Sequence, residues 1–163
     1  MDIINVFLSR PNWVSNIVER NFSNFYQLLD DLGFRPRTIG KDVIPLSSPF
    51  QHVVDLMKQC ECTIVLGLPQ ITVRQGRLKG IEIEKSFSLP TEWNHIEAAI
   101  SIMLNKPTLM MLNKRVAARG LFERGAANVF VHEFETLKPS WVTEIKPKLL
   151  SLKETVITQE KNS

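Results

Sequence analysis

Cys62-Thr63-Ile64-Val65-Leu66-Gly67-Leu68 is the stretch on which the fold turns. It has no polar alternation beyond Thr63, and such a run reads as a strand covered on both faces. A similar run at residues 108–112 follows a helical pattern from about Glu92 to Asn105. Buried strands separated by helices point to a parallel sheet sandwiched between helical layers.

On the N-terminal side, Ile3-Ile4-Asn5-Val6-Phe7-Leu8 is a β-branched and aromatic run that stops at Ser9-Arg10-Pro11, a first strand. Residues 13–32 place Val14, Ile17, Val18, Phe22, Phe25, Leu28, Leu29 and Leu32 at helical spacing, and Gly33 stands where a glycine ends a helix. Residues 34–39 predict a short second strand despite Pro36, and residues 50–60 a helix with Val53, Val54 and Met57 inward. Toward the C-terminus, a basic segment at 113–124 precedes a fifth strand at 128–134. A closing helix is expected from residue 140 to about 158, interrupted or kinked at Pro147. Residues 69–90 break the alternation and predict an inserted hairpin or an irregular excursion. The expectation is one α/β domain over residues 1–163, with a mainly parallel five-stranded sheet and helices on both faces.

Composition narrows the function classes. The chain has 163 residues, with 20 Lys+Arg against 17 Asp+Glu, and a net charge of +3 gives no case for a nucleic-acid partner. With 44% hydrophobic and 23% charged residues it is a globular rather than a disordered chain. No apolar run approaches the ~20 residues of a membrane span. The opening MDIINVFLSRPNW has an early Asp and no basic leader, so a cytoplasmic location is expected. Cys60 and Cys62 lack a second pair, and His52, His95 and His132 are scattered, so no metal site is expected.

Parallel sheets bind ligands outside the carboxyl ends of their strands. That selects Ser9-Arg10, residues 40–49, Gly67 onward, and the loop entering the helix near residue 92. In that helix Thr91 is an N-cap candidate, preceded by Pro90 and followed by an acidic first turn. With Ile96 as angular origin, Ile100 and Met103 fall within about 40° and Trp93 near about 60°, a stripe expected to face the core. Glu97 falls near about 100°, on the rim of that stripe and beside Trp93. An acid there either looks into a cleft or is a solvated helix shoulder. Burial would raise its pKa, and the helix dipole would favour its ionised form. His95 falls opposite the stripe and is given no proton-transfer role. The basic run Lys114-Arg115-Val116-Ala117-Ala118-Arg119-Gly120, with Arg124 beyond, reads either as a pyrophosphate contact or as a solvated loop.

Trp93-Asn94-His95-Ile96-Glu97 resembles the W-x-x-x-E motif of bacterial Toll/interleukin-1 receptor (TIR) domains. Leu89-Pro90-Thr91-Glu92 before it and Asn105-Lys106-Pro107-Thr108-Leu109-Met110 after it are similar to that family's helix and following strand. Asn5-Val6-Phe7-Leu8-Ser9 resembles its first-strand box, and residues 42–49 occupy the place of its mobile loop. The resemblance covers roughly residues 3–134. It implies a flavodoxin-like fold, with Glu97 as the catalytic residue and Phe7, Ser9, Arg10, Asp42, Gly67, Trp93 and Asn94 as substrate-binding residues. Ser9, Gly67, Trp93 and Glu97 are expected to converge on one cleft.

The activity implied is cleavage of the nicotinamide–ribose bond of NAD, by hydrolysis or cyclisation, in antiphage defence. NAD would be the substrate, with no further cofactor. The implied partners are further copies of the chain on activation and a separate effector protein. Nicotinamide leaves as a neutral group while charge develops on the ribose, and one carboxylate beside the sugar stabilises that cation. Trp93 would give an aromatic wall, and Ser9 and Arg10 would hold hydroxyl or phosphate oxygens. Arg10-Pro11-Asn12 stands where the family has an aromatic residue or His, and the 69–90 excursion is longer than in receptor-type members. The excursion looks more like stand-alone bacterial proteins that grade into nucleoside 2-deoxyribosyltransferases, which implies deoxyribosyl transfer through Glu97 as the alternative. A non-catalytic assembly module is the third reading.

Overall fold

The computed structural model describes residues 3–40 and 48–161. In chain order the elements are β1 (Ile4–Ser9), α1 (Asn16–Asp31), β2 (Phe34–Arg37), α2 (Pro49–Lys58), β3 (Cys62–Gly67), β4 (Ile71–Val73), β5 (Arg77–Leu78), β6 (Ile81–Glu82), β7 (Phe87–Leu89), α3 (Glu92–Met103), β8 (Thr108–Asn113), β9 (Val131–Phe134) and α4 (Trp141–Lys161). Five of the strands form one parallel sheet in the order β2-β1-β3-β8-β9. This is the flavodoxin-like α/β arrangement. Successive crossovers from β1 go first to one side and then to the other, so a crevice opens at the carboxyl ends of β1 and β3.

Alternation along the strands divides the core. Ile4, Val6 and Leu8 of β1, Ile64 and Leu66 of β3, and Leu109 and Met111 of β8 pack beneath α1 and α4. There Trp141 meets Phe25, Phe134 and Phe22 at ring-centroid distances of 5.3, 5.5 and 5.6 Å. Burying each phenylalanine ring contributes about 1.5–3 kcal/mol. The intervening residues face the other way. Phe7 packs on Val53, Leu56 and Met57 of α2, while Val65, Met110 and Leu112 meet Ala98 of α3 and Phe122.

Residues 69–90 form a nested hairpin. β4 pairs antiparallel with β7, Ile71 opposite Leu89, and β5 pairs with β6 at the tip. Its base is fastened to the segment after β8, where the Ala117 N–H donates to the Ser88 carbonyl at 2.9 Å. That basic segment carries Val116, and Phe122 on a 3-10 turn (Gly120–Phe122), into the core. Its cations are not at the cleft described below, and Arg124 meets Glu133 at 4.0 Å on the exposed surface. α4 is helical on both sides of Pro147, so of the two expectations, interruption or kink, the interruption does not occur. Proline removes one helical N–H, but Pro147 lies on the exposed side of the helix.

Cys60 and Cys62 are both buried free thiols and pack on opposite faces of the sheet. Burial pushes the Cys60 thiol up to about 11 and raises that of Cys62 as well, so neither is a reactive thiolate near neutral pH. Among the described residues, no helix is long and apolar enough to cross a membrane.

Candidate active site

The site begins with a helix cap. Thr91 is extended and its hydroxyl accepts the Asn94 backbone N–H at 3.2 Å, which starts α3 at the mouth of the crevice. α3 then lies on the sheet with Asn94, Glu97, Ala98 and Ser101 inward. This corrects the expected stripe: Trp93, Ile96 and Met103 are 41, 37 and 80% exposed, and Ile100 alone of that set turns toward the α2 cluster. The inversion has a physical cause. Alanine and serine let the helix approach closely, and its polar groups find polar partners on the strands. The Ser101 and Thr108 hydroxyls are 2.7 Å apart, and Asn94 Nδ2 donates to Ser9 Oγ at 2.8 Å.

A cleft of about 370 Å³ opens at this edge. It is bounded by Leu8 and Pro11 at the end of β1, residues 38–40 after β2, Pro49 and Val53 of α2, and Thr91, Trp93 and Glu97. Glu97 is the only acid lining it among the described residues and is 8% exposed, with the Ser9 hydroxyl beside it. Burial pushes its carboxyl from 4.5 up to about 7, against the opposing pull of the Ser9 hydroxyl. The side chain is therefore poised to exist as acid or carboxylate near neutral pH. A larger groove of about 510 Å³ lies between Pro107, Phe130 and α4, at the amino ends of β8 and β9. Its described lining holds no acid, so it offers none of this chemistry.

The expected site residues separate by position. Glu97 and Trp93 line the cleft, and Ser9 and Asn94 lie directly behind Glu97, each 1% exposed. Arg10 borders the cleft, but its guanidinium is turned under α1. Nη2 is 2.7 Å from Glu19 Oε2, Nε donates to the Pro11 carbonyl at 3.1 Å, and the group sits 4.1 Å over the Phe22 ring. The guanidinium is thus ion-paired within the chain while Arg10 still lines the cleft. Phe7 and Gly67 are away from the cleft. Phe7 is sealed against α2, the consequence of a strand position that faces a helix. A Cβ on Gly67 would lie 2.9 Å from both Leu112 Cδ1 and Phe122 Cζ, so this glycine admits a ring rather than a ligand. Asp42 lies outside the described residues.

Asn12, Thr38 and Gly40 also border the cleft, and nothing in the sequence pattern singles them out as a group. Gly40 has φ +84°, and a Cβ there would lie 2.7 Å from Asn12 Nδ2, so the glycine allows Asn12 to close one wall. Gly40 falls in the 40–49 segment selected by the strand-end rule, and for Asn12 the available signal is the Arg10-Pro11-Asn12 departure. His95, given no role, packs edge-on against the Phe122 ring at 5.2 Å.

No protein-family model matches the chain, and no curated protein matches it significantly in sequence. Among solved structures it is similar to the Clostridium botulinum CMP N-glycosidase BcmB, with a TM-score of 0.57 and 13% identity. The alignment covers 88% of this chain and 98% of that chain, so the two share a fold over nearly their whole lengths.

Proposed function

We propose that this chain breaks an N-glycosidic bond between a sugar and a nitrogenous base, with Glu97 as the carboxylate that meets the sugar. The observation that carries the reading is Glu97 itself: a nearly dry acid, beside the Ser9 hydroxyl, at the switch point of a parallel sheet. In the reaction the C1′–N bond breaks and its electron pair leaves with the base. Positive charge spreads over C1′ and the ring oxygen, and an ionised Glu97 stabilises it, either electrostatically or by forming a transient ester at C1′ that water then opens. Asn12, which also borders the cleft, carries an amide suited to hydroxyl or base-edge atoms. The fold shared with a CMP N-glycosidase agrees with this reading.

The narrower reading, nicotinamide release from NAD to give a signalling product in antiphage defence, is supported by the likeness of the Trp93–Glu97 motif and its surroundings to TIR domains. Assembly with further copies and a separate effector belongs to the same reading. A specific observation favours a smaller, neutral nucleoside instead. The cleft has nucleoside-sized room, and Arg10, the only cation lining it among the described residues, is paired to Glu19.

The proposal is tested by incubating the full chain with NAD, with CMP and with a panel of ribo- and deoxynucleosides, released base being resolved by chromatography. Base release that disappears in Glu97→Gln is expected. No release from any of them, across a wide range of protein concentration, would remove the proposal.

A further inference from the structure

The polar side chains that line the cleft differ in how far they are already committed. Arg10 is paired to Glu19, and its Nη1 donates to the Tyr26 hydroxyl at 3.3 Å. The Thr38 hydroxyl donates to the Leu8 carbonyl at 3.1 Å, and the Thr91 hydroxyl caps α3. Asn12 is different. It is exposed, and its side-chain amide has no hydrogen-bond partner among the described residues.

The amide is nevertheless held in place by shape. A Cβ on Gly40 would lie 2.7 Å from Asn12 Nδ2 and 3.4 Å from both Cγ and Oδ1, so the group rests across the bare glycine. Gly40 directly follows Ile39, which forms an apolar wall of the cleft together with Pro49 and Val53. A sugar laid on that wall would turn hydroxyls toward carbon. A planar base instead puts its faces on apolar groups and keeps its donors and acceptors at the edge, where one uncommitted amide can meet them.

We propose that the Asn12 amide, laid over Gly40, reads the edge of the base whose sugar meets Glu97. An amide brings an N–H donor and a carbonyl acceptor side by side, the complement of the adjacent amino group and ring nitrogen of adenine or cytosine. Asn12 is then a specificity-determining residue, and Gly40 acts through it as a positioning residue. The placing of the sugar rests on the N-glycosidase reading of Glu97, whereas the base contact is measurable as binding without turnover.

The experiment is equilibrium dialysis of adenosine, cytidine and guanosine against the full chain carrying Glu97→Gln, which keeps the cleft and withholds the reacting carboxylate. Adding Asn12→Ala is expected to weaken adenosine and cytidine about tenfold. Asn12→Asp leaves only acceptors. It is expected to turn preference toward guanosine, which presents N1–H and N2–H side by side, by about tenfold relative to adenosine. Gly40→Ala pushes the amide aside and is expected to weaken adenosine about as much as Asn12→Ala does. In the Asn12→Ala background that Gly40→Ala effect shrinks by about half or more.

Absence of nucleoside binding, or unchanged adenosine and cytidine binding in Asn12→Ala, overturns the proposal. Equal shifts of all three nucleosides in Asn12→Asp also overturn it, because they would place Asn12 on the shared sugar. A Gly40→Ala effect of the same size in both backgrounds does the same. Should Gly40→Ala fail to fold, the Asn12 variants decide, since Asn12 is exposed and its amide bonds to none of the described residues. Nucleosides bound with this dependence on Asn12, yet never cleaved by the native chain, would count against the enzyme reading and leave the base contact standing. Base release with no change of selectivity in the Asn12 variants would do the reverse.

Discussion

On the α1–α4 side of the sheet, Phe22, Phe25, Phe134 and Trp141 close into one aromatic cluster. On the α3 side the same strands present Ser9, Thr63 and Thr108 to a helix whose inward residues include Asn94, Glu97 and Ser101. The first face is held by apolar area, which tolerates small errors in direction. The second is held by matched polar groups, each of which costs free energy if its partner is missing. Even there the matching is incomplete: Thr63 Oγ1 is buried without a partner. One face supplies stability and the other gives up some of it to keep an acid dry beside a cleft, the usual relation between a scaffold and a candidate site.

The sharpest way to break this comparison is Glu97→Gln. Base release should fall on the order of a thousandfold, with the fold intact by circular dichroism. An enzyme that keeps its activity would show that the polar face does no chemistry. On the other face, Trp141→Ala should lower unfolding free energy by about 3–5 kcal/mol in a urea titration. A loss under about 1 kcal/mol would mean that the aromatic cluster is not the mainstay.

Acidity sharpens the contrast further. The folded pKa of Glu97 lies above the unfolded one, so the folded state binds the extra proton. Its contribution to stability is greatest below about 4.5 and is lost as pH rises through about 7. Glu97→Gln does not titrate, so the variant should gain on the native chain across that window, by about 3 kcal/mol at most. Parallel stability curves from about pH 4 to 8 would show that the acid is not buried in solution. Activity should move the opposite way and rise through about pH 7, because the sugar cation is met by the ionised form. The smallest effect belongs to the outward side of α3: Met103→Ser should change stability by less than about 0.5 kcal/mol, whereas a core-facing stripe would make it costly.

That last variant marks where the sequence stops being informative. The strands and helices are legible because burial on both faces leaves unbroken apolar runs, and β3 and β8 agree with their expected bounds to within a residue. The facing of α3 is not legible, because apolar periodicity locates a core side only when the opposing surface is apolar. Here the opposing surface carries Ser9 and Thr108, brought in by strands far away in sequence, and Asn94 and Ser101 are inward because those partners exist. A five-residue motif singles out Glu97, but the pairing of Asn94 with Ser9 next to it is tertiary information. The pairing of Arg10 is hidden for the same reason: its partner, Glu19, lies one turn into α1 and is indistinguishable in sequence from any other surface acid.

The nested hairpin between β3 and α3 has a consequence for engineering. Its two arms enter and leave side by side at Ile71 and Leu89, and its tip at Lys79-Gly80 is exposed. A segment whose ends already meet can be replaced by a short turn, or opened to carry a guest domain, with little added loop-closure entropy. Only Pro90 separates the second arm from Thr91. A reporter grafted at the tip would thus sit on a short covalent lever to the cap of α3, making the hairpin a natural port for reading out occupancy of the cleft.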